Sequence, residues 1–188
     1  AHPQIAKAIY KQAITLEHTI LSGLTHDPAI TLSNKLLELT HKSGGNFQKV
    51  FFSDNGSTSV EVALKLAVQY SRNQGQNRTK FLALKGSYHG DTCGAMSVST
   101  PDSFHKAFED LLFNVDFITP DNYEELHLIE GQSPEQYAAF IVEPLIQGAG
   151  GMKFHSKEYL KKVHTFCKRN GILLIFDEVF TAFGRLGR

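Results

Sequence analysis

The sequence predicts an α/β fold of three layers, with a mostly parallel sheet flanked by helices. Two observations carry that expectation. Short apolar runs alternate with stretches whose apolar residues recur at helical spacing, a pattern that builds βαβ units with right-handed crossovers. The run Gly171-Ile172-Leu173-Leu174-Ile175-Phe176-Asp177-Glu178-Val179 has no polar alternation, as expected of a strand buried on both faces of a parallel sheet.

The elements follow in order. Residues 3–18 carry Ile5, Ala8, Ile9 and Ile14 at helical spacing. A second helix starts at Pro28 with Asp27 as its N-cap and Leu32, Leu36, Leu37 and Leu39 on or near its buried face. Val50-Phe51-Phe52 is expected to be a short strand. The turn Asp54-Asn55-Gly56-Ser57 leads into a helix over 58–72. Lys80–Leu84 is the next strand, 114–118 a weaker one, and 121–130 a helix. Ala138–Glu143 is a strand stopped by Pro144, and Gly148 to Gly151 form a flexible loop. Ser156 caps a helix bearing Leu160, Val163, Phe166 and Cys167, Gly171 closes it, and the strand leading to Asp177 follows.

The 188 residues suffice for one domain with a substantial core, and 41% hydrophobic with 20% charged residues indicates a globular chain rather than a disordered one. Nineteen basic and nineteen acidic residues balance to a formal charge of +0, which argues against a nucleic-acid partner. No apolar run is long enough to span a membrane, so no membrane partner is expected. Cys93 and Cys167 lack metal-type spacing and are expected to be free thiols in a reducing, cytoplasmic setting. The first residues have no leader character. They also lack a methionine, and Gly184–Arg188 closes no element, so both ends are expected to be cuts inside a larger protein.

Four segments at strand ends could carry chemistry. In Asp54–Thr58 the first N–H groups of the following helix have no internal partner and can hold an anion such as phosphate. Gly56 would allow close approach, and Ser57 and Thr58 would offer hydroxyls. The same residues would serve equally as a plain helix cap, and without a lysine the turn is no nucleotide P-loop. Lys85–Asp91 brackets Tyr88, His89 and Asp91 with Gly86 and Gly90. Tyr88 could stack on a flat ligand or sit in the core. Glu143 could orient a ring pocket, pair with an arginine, or lie exposed at a strand end. Arg185 could bind a carboxylate or be solvated. Asp177, at the carboxyl end of its strand, needs a cation or donor there, or else caps the next loop. The nine histidines make no helical zinc pair beside a glutamate, and no Gly-x-Ser-x-Gly is present.

Ser53–Ser57, Gly86-Ser87-Tyr88-His89-Gly90, Glu143-Pro144 and Asp177–Arg185 fall in the order of class III pyridoxal-phosphate aminotransferases, which the chain resembles over essentially its whole length. The resemblance implies part of the large domain of a fold-type-I pyridoxal-phosphate transferase, truncated at both ends of 1–188, and a homodimer in the full-length protein. It implies that Gly56 and Ser57 bind the cofactor phosphate, that Tyr88 stacks on the pyridine ring and borders the substrate, and that Asp177 pairs with the ring nitrogen. Tyr88 and Asp177 are then the catalytic residues. Asp91 and Arg185 match substrate-pocket residues expected to touch one another, while Glu143 matches a glutamate of the class pattern to which no role attaches. Gly23–Ala29, Tyr88–Thr92 and Gln147–Met152 resemble the subfamily of biotin synthesis that uses S-adenosylmethionine as amino donor and 8-amino-7-oxononanoate as acceptor. A different member of the class, acting on ω-amino acids or diamines, is the alternative. The sequence departs from the pattern at Ala182, where the family has glycine, and no lysine follows Asp177. The lysine that carries the cofactor is therefore expected beyond Arg188, and this stretch alone is expected to be inactive.

Overall fold

The structure, a computed structural model, describes residues 2–101 and 105–187, in two compact units that divide between Phe52 and Ser53. In the first unit, α1 runs Pro3–Ala13, shorter than the pattern suggested. The second helix, α2 (Asp27–Lys42), is capped by His26 rather than Asp27. The His26 ring nitrogen accepts the Ala29 N–H at 3.3 Å and does what a carboxylate was expected to do. Val50–Phe52 forms no strand. Three apolar residues without a pairing partner do not make one.

The second unit holds a parallel four-stranded sheet. Its strands are β1 (Lys80–Leu84), β2 (Asp116–Ile118), β3 (Tyr137–Val142) and β6 (Leu173–Phe176), in the order β2-β1-β3-β6. β3 is buried along its whole length. Its neighbours align as Ala83 opposite Ile141 and Ile141 opposite Ile175. Alternate residues face opposite layers. Leu82, Leu84, Phe140 and Val142 pack under α5 (Tyr123–Gln132) and α6 (Lys157–Asn170), against Leu126, Tyr159, Val163 and Phe166. Phe81, Ala83, Ala139 and Ile141 pack under α3 (Gly56–Asn73) and α4 (Cys93–Ser97), against Val60, Leu64, Ala67, Ala95 and Val98. This is the expected three-layer arrangement. Burying each large aliphatic or aromatic side chain contributes roughly 1.5–3 kcal/mol before entropy. Cys167 belongs to this core, and burial pushes its thiol up to about 12, so it is an inert packing group.

One expectation about the sheet needs correction. β6 is not buried on both faces: Leu173, Leu174 and Ile175 are half-buried and Phe176 is 46% exposed, because β6 is an edge strand among the described residues. Gly148–Gly151 form a loop as expected, and it joins two short antiparallel strands, β4 (Ile146–Gln147) and β5 (Lys153–Phe154). Gly171 closes α6 in the left-handed region at φ 65°, as expected. No helix of the described residues is long and apolar enough to cross a membrane.

Candidate active site

The carboxyl ends of parallel strands are where an open α/β sheet presents its loops, and the candidate residues gather there. A cleft of about 530 Å³ is walled by the start of α3 (Asn55, Gly56, Ser57), the loop after β1 (Tyr88 to Thr92), the end of β3 (Glu143), Ala149, and the segment after β6 (Asp177, Val179, Phe180).

The start of α3 is locked by a reciprocal cap. Asn55 Oδ1 accepts the Thr58 N–H at 3.0 Å and Thr58 Oγ1 accepts the Asn55 N–H at 3.1 Å. The Thr58 hydroxyl is thus spent on the cap and is not a cleft donor as anticipated. Gly56 and Ser57 occupy the first two helical positions, whose N–H groups have no partner inside the helix.

The loop after β1 is pinned to the chain that leaves α4. Thr100 Oγ1 accepts the Gly86 N–H at 2.6 Å, and Ser99 Oγ accepts the His89 N–H at 2.8 Å. Gly90, at φ 124°, lies so near α3 that an added Cβ would stand on Ser57 Oγ, and Ser57 Oγ also accepts the Asp91 N–H at 3.3 Å. Tyr88 is 40% exposed at the cleft, not a core tyrosine. Burial first, and then the neighbouring Asp91 carboxylate, raise its phenol above the ordinary range, so the hydroxyl stays protonated.

Asp177 is 9% exposed. Oδ2 lies 2.7 Å from Nδ1 of His89, whose ring is wholly buried, and Oδ1 accepts the Val179 N–H at 3.1 Å. Both readings of Asp177 are therefore half right: one oxygen caps the following loop and the other meets a donor. That donor, His89, was given no role from the sequence. The available signal was general: a buried carboxylate needs a partner, and His89 was the only histidine in a candidate segment.

Glu143 is 4% exposed, which excludes the exposed strand-end reading. Burial raises its carboxyl above the usual 4.5, against the N–H groups of Gly148 and Tyr88 and the His89 ring, which lower it. A folded-state value above the unfolded one means that the stability Glu143 contributes is fully present below the unfolded pKa. It is lost as pH rises through the folded pKa. The unfolding free energy of Glu143→Gln relative to wild type should accordingly improve as pH rises above about 4.5. A difference that stays flat, or moves toward glutamate, would refute this.

Arg185 stands outside the cleft lining. Its guanidinium carbon lies 5.3 Å from the Phe180 ring centroid, and it makes no ion pair with Asp91, so the expected contact between those two is not present. Lys85, the one lysine at a strand end beside the site, turns away to Thr119 Oγ1 at 3.0 Å and Glu125 at 3.5 Å.

A helix start whose N–H groups have no partner inside the helix, a half-exposed tyrosine and a buried carboxylate thus meet in one cleft. All of residues 1–188 match the aminotransferase class-III family, and the chain belongs to it. It is 44% identical over 200 residues to the adenosylmethionine-8-amino-7-oxononanoate aminotransferase of Synechococcus elongatus, covering 100% of this chain and 46% of that protein. It is 44% identical over 197 residues to the enzyme of the same name from Corynebacterium glutamicum, covering 99% of this chain and 46% of that one. Among solved structures, the adenosylmethionine-8-amino-7-oxononanoate aminotransferase of Methanocaldococcus jannaschii matches with a TM-score of 0.92 at 39% identity, covering 100% of this chain and 43% of that one. A PLP-bound amine transaminase from an uncultivated Pseudomonas species matches with a TM-score of 0.89 at 31% identity, covering 98% and 46%. The chain thus spans a little under half the length of these relatives.

Proposed function

We propose that the full-length protein is a pyridoxal-phosphate-dependent aminotransferase that moves an amino group from S-adenosylmethionine to 8-amino-7-oxononanoate. Residues 1–188 would be part of its cofactor-binding large domain. The observation that carries this reading is the convergence of three strand ends and the start of α3 on one cleft, with free helix N–H groups at Gly56 and Ser57 and a buried carboxylate at Asp177. The identity to relatives of that name supports these substrates.

The residues present fit the cofactor. Gly56 and Ser57 would hold the phosphate through backbone N–H groups at the positive end of α3. Tyr88 would flank the ring. Asp177 would keep a proton on the ring nitrogen, since an adjacent carboxylate in a dry site favours the charged form. Bound pyridoxal phosphate supplies an electron sink for bond breaking at the amino-bearing carbon. His89, through Nδ1, fixes which way Asp177 points. Asp91 would sit at the substrate side of Tyr88, and Arg185 would reach a substrate carboxylate only after leaving Phe180. The lysine that carries the cofactor would come from a part of the protein outside these residues, and the working enzyme would be a homodimer in the cytoplasm.

The test is turnover by the full-length protein loaded with pyridoxal phosphate. Formation of 7,8-diaminononanoate from S-adenosylmethionine and 8-amino-7-oxononanoate is expected. Turnover with simple amines or ω-amino acids alone would favour the second reading, to which the amine transaminase match points.

A further inference from the structure

We propose that Glu143 is a positioning residue for this site, tying the Tyr88 loop to the Gly148 loop and so fixing where the Tyr88 ring stands at the cleft. The inference rests on the aminotransferase reading above. Each carboxylate oxygen of Glu143 serves a different loop: Oε1 accepts the Tyr88 N–H at 3.3 Å, and Oε2 accepts the Gly148 N–H at 2.8 Å. The anchor itself is rigid. Glu143 directly follows β3, the fully buried central strand, and its backbone oxygen receives His155 Nε2 at 2.8 Å.

The second loop is in turn wedged against the segment after β6. A Cβ on Gly148 would come within 2.9 Å of the Phe180 ring, and one on Gly150 would strike the carbonyl oxygen of Gly86. One side chain thus bonds two walls of the cleft, and the second of them packs on a third. Glutamine cannot replace it. An amide has a single acceptor oxygen, and its NH₂ would face the other loop's N–H. The charged and titratable groups facing Glu143 are His89, Asp177, Tyr88 and His155. None of them takes over either N–H.

The experiment is a double-mutant cycle in the full-length, cofactor-loaded protein, with E143Q, Y88A and the double variant. E143Q is expected to lower kcat/KM for the amino acceptor about 10–100-fold. In the Y88A background it should lower it by less than about 3-fold, because the two act as one unit. Cofactor affinity, followed by absorbance, should stay within about 3-fold of wild type in E143Q. Additive losses, or an unchanged kcat/KM in E143Q, would overturn the proposal. If E143Q does not fold, hydrogen exchange on the wild-type protein decides: the Tyr88 and Gly148 amides should both be protected at least about 100-fold. Free exchange at either would overturn it. Failure of the aminotransferase reading would show separately, as a wild-type protein with no turnover on any amino donor.

Discussion

Replacing Asp177 by alanine in the full-length protein should reduce turnover by two to three orders of magnitude, roughly the cost of deleting one preorganised electrostatic partner from a dry site. Asparagine should do nearly as much harm to turnover and far less to the fold. It keeps one acceptor oxygen for the Val179 N–H, its NH₂ can face His89 Nδ1 only as a donor to the other ring tautomer, and it carries no charge to hold a proton on a ring nitrogen. Alanine strands the wholly buried His89 ring, which adds about 1–3 kcal/mol of instability. The two variants thus separate chemistry from folding. Steady-state rates, with cofactor loading checked by absorbance, are the measurement. An Asp177→Ala protein that binds cofactor normally and turns over at the wild-type rate would remove Asp177 from the mechanism.

The second large effect is expected at Gly90. Gly90→Ala would bring Cβ onto Ser57 Oγ, within 2.7 Å of Ser57 Cβ and 3.0 Å of Ser57 Cα. Rotating the serine relieves only the first of these contacts, so backbone must move. The φ of 124° adds strain that only glycine escapes. Together, overpacking and backbone strain should cost about 2–5 kcal/mol and pull the Tyr88 loop off the start of α3. Gly75→Ala is the control. Its φ of 71° is also positive, but nothing lies within 4 Å of the added methyl, so about 1 kcal/mol is expected. Equal losses of Tm in the two variants would show that the close approach at Ser57 carries no weight.

The legible part of this molecule was the part set by local chemistry. The apolar runs of β1 and β3, the Ser156 cap and the Gly171 stop each require specific residues, and each was found where expected. Misjudged features depended on neighbours. β6 carries the same unbroken apolar run as β3, yet among the described residues β3 is central and β6 lies at the edge, a difference that strand order decides and composition does not. Val50–Phe52 has the residues of a strand but no pairing partner among the described residues. α4 (Cys93–Ser97), unforeseen in the sequence, spans too few residues to show a helical period. At the site, Tyr88 and Asp177 lie just past strand ends and Gly56 and Ser57 at a helix start, local features legible in the sequence, and all four line one cleft. The His89–Asp177 bond joins loops far apart in sequence and could not be read from spacing.

Every pairing in the four-stranded sheet joins segments separated by a helix or more, and none is a local hairpin. Such topologies close their loops late and fold slowly. The cleft borrows a wall from each of several strand ends, so it should exist only once the last of those strands has docked. A refolding experiment would then see far-ultraviolet ellipticity recover before any capacity to capture pyridoxal phosphate. The lag between the two signals would time the completion of the sheet.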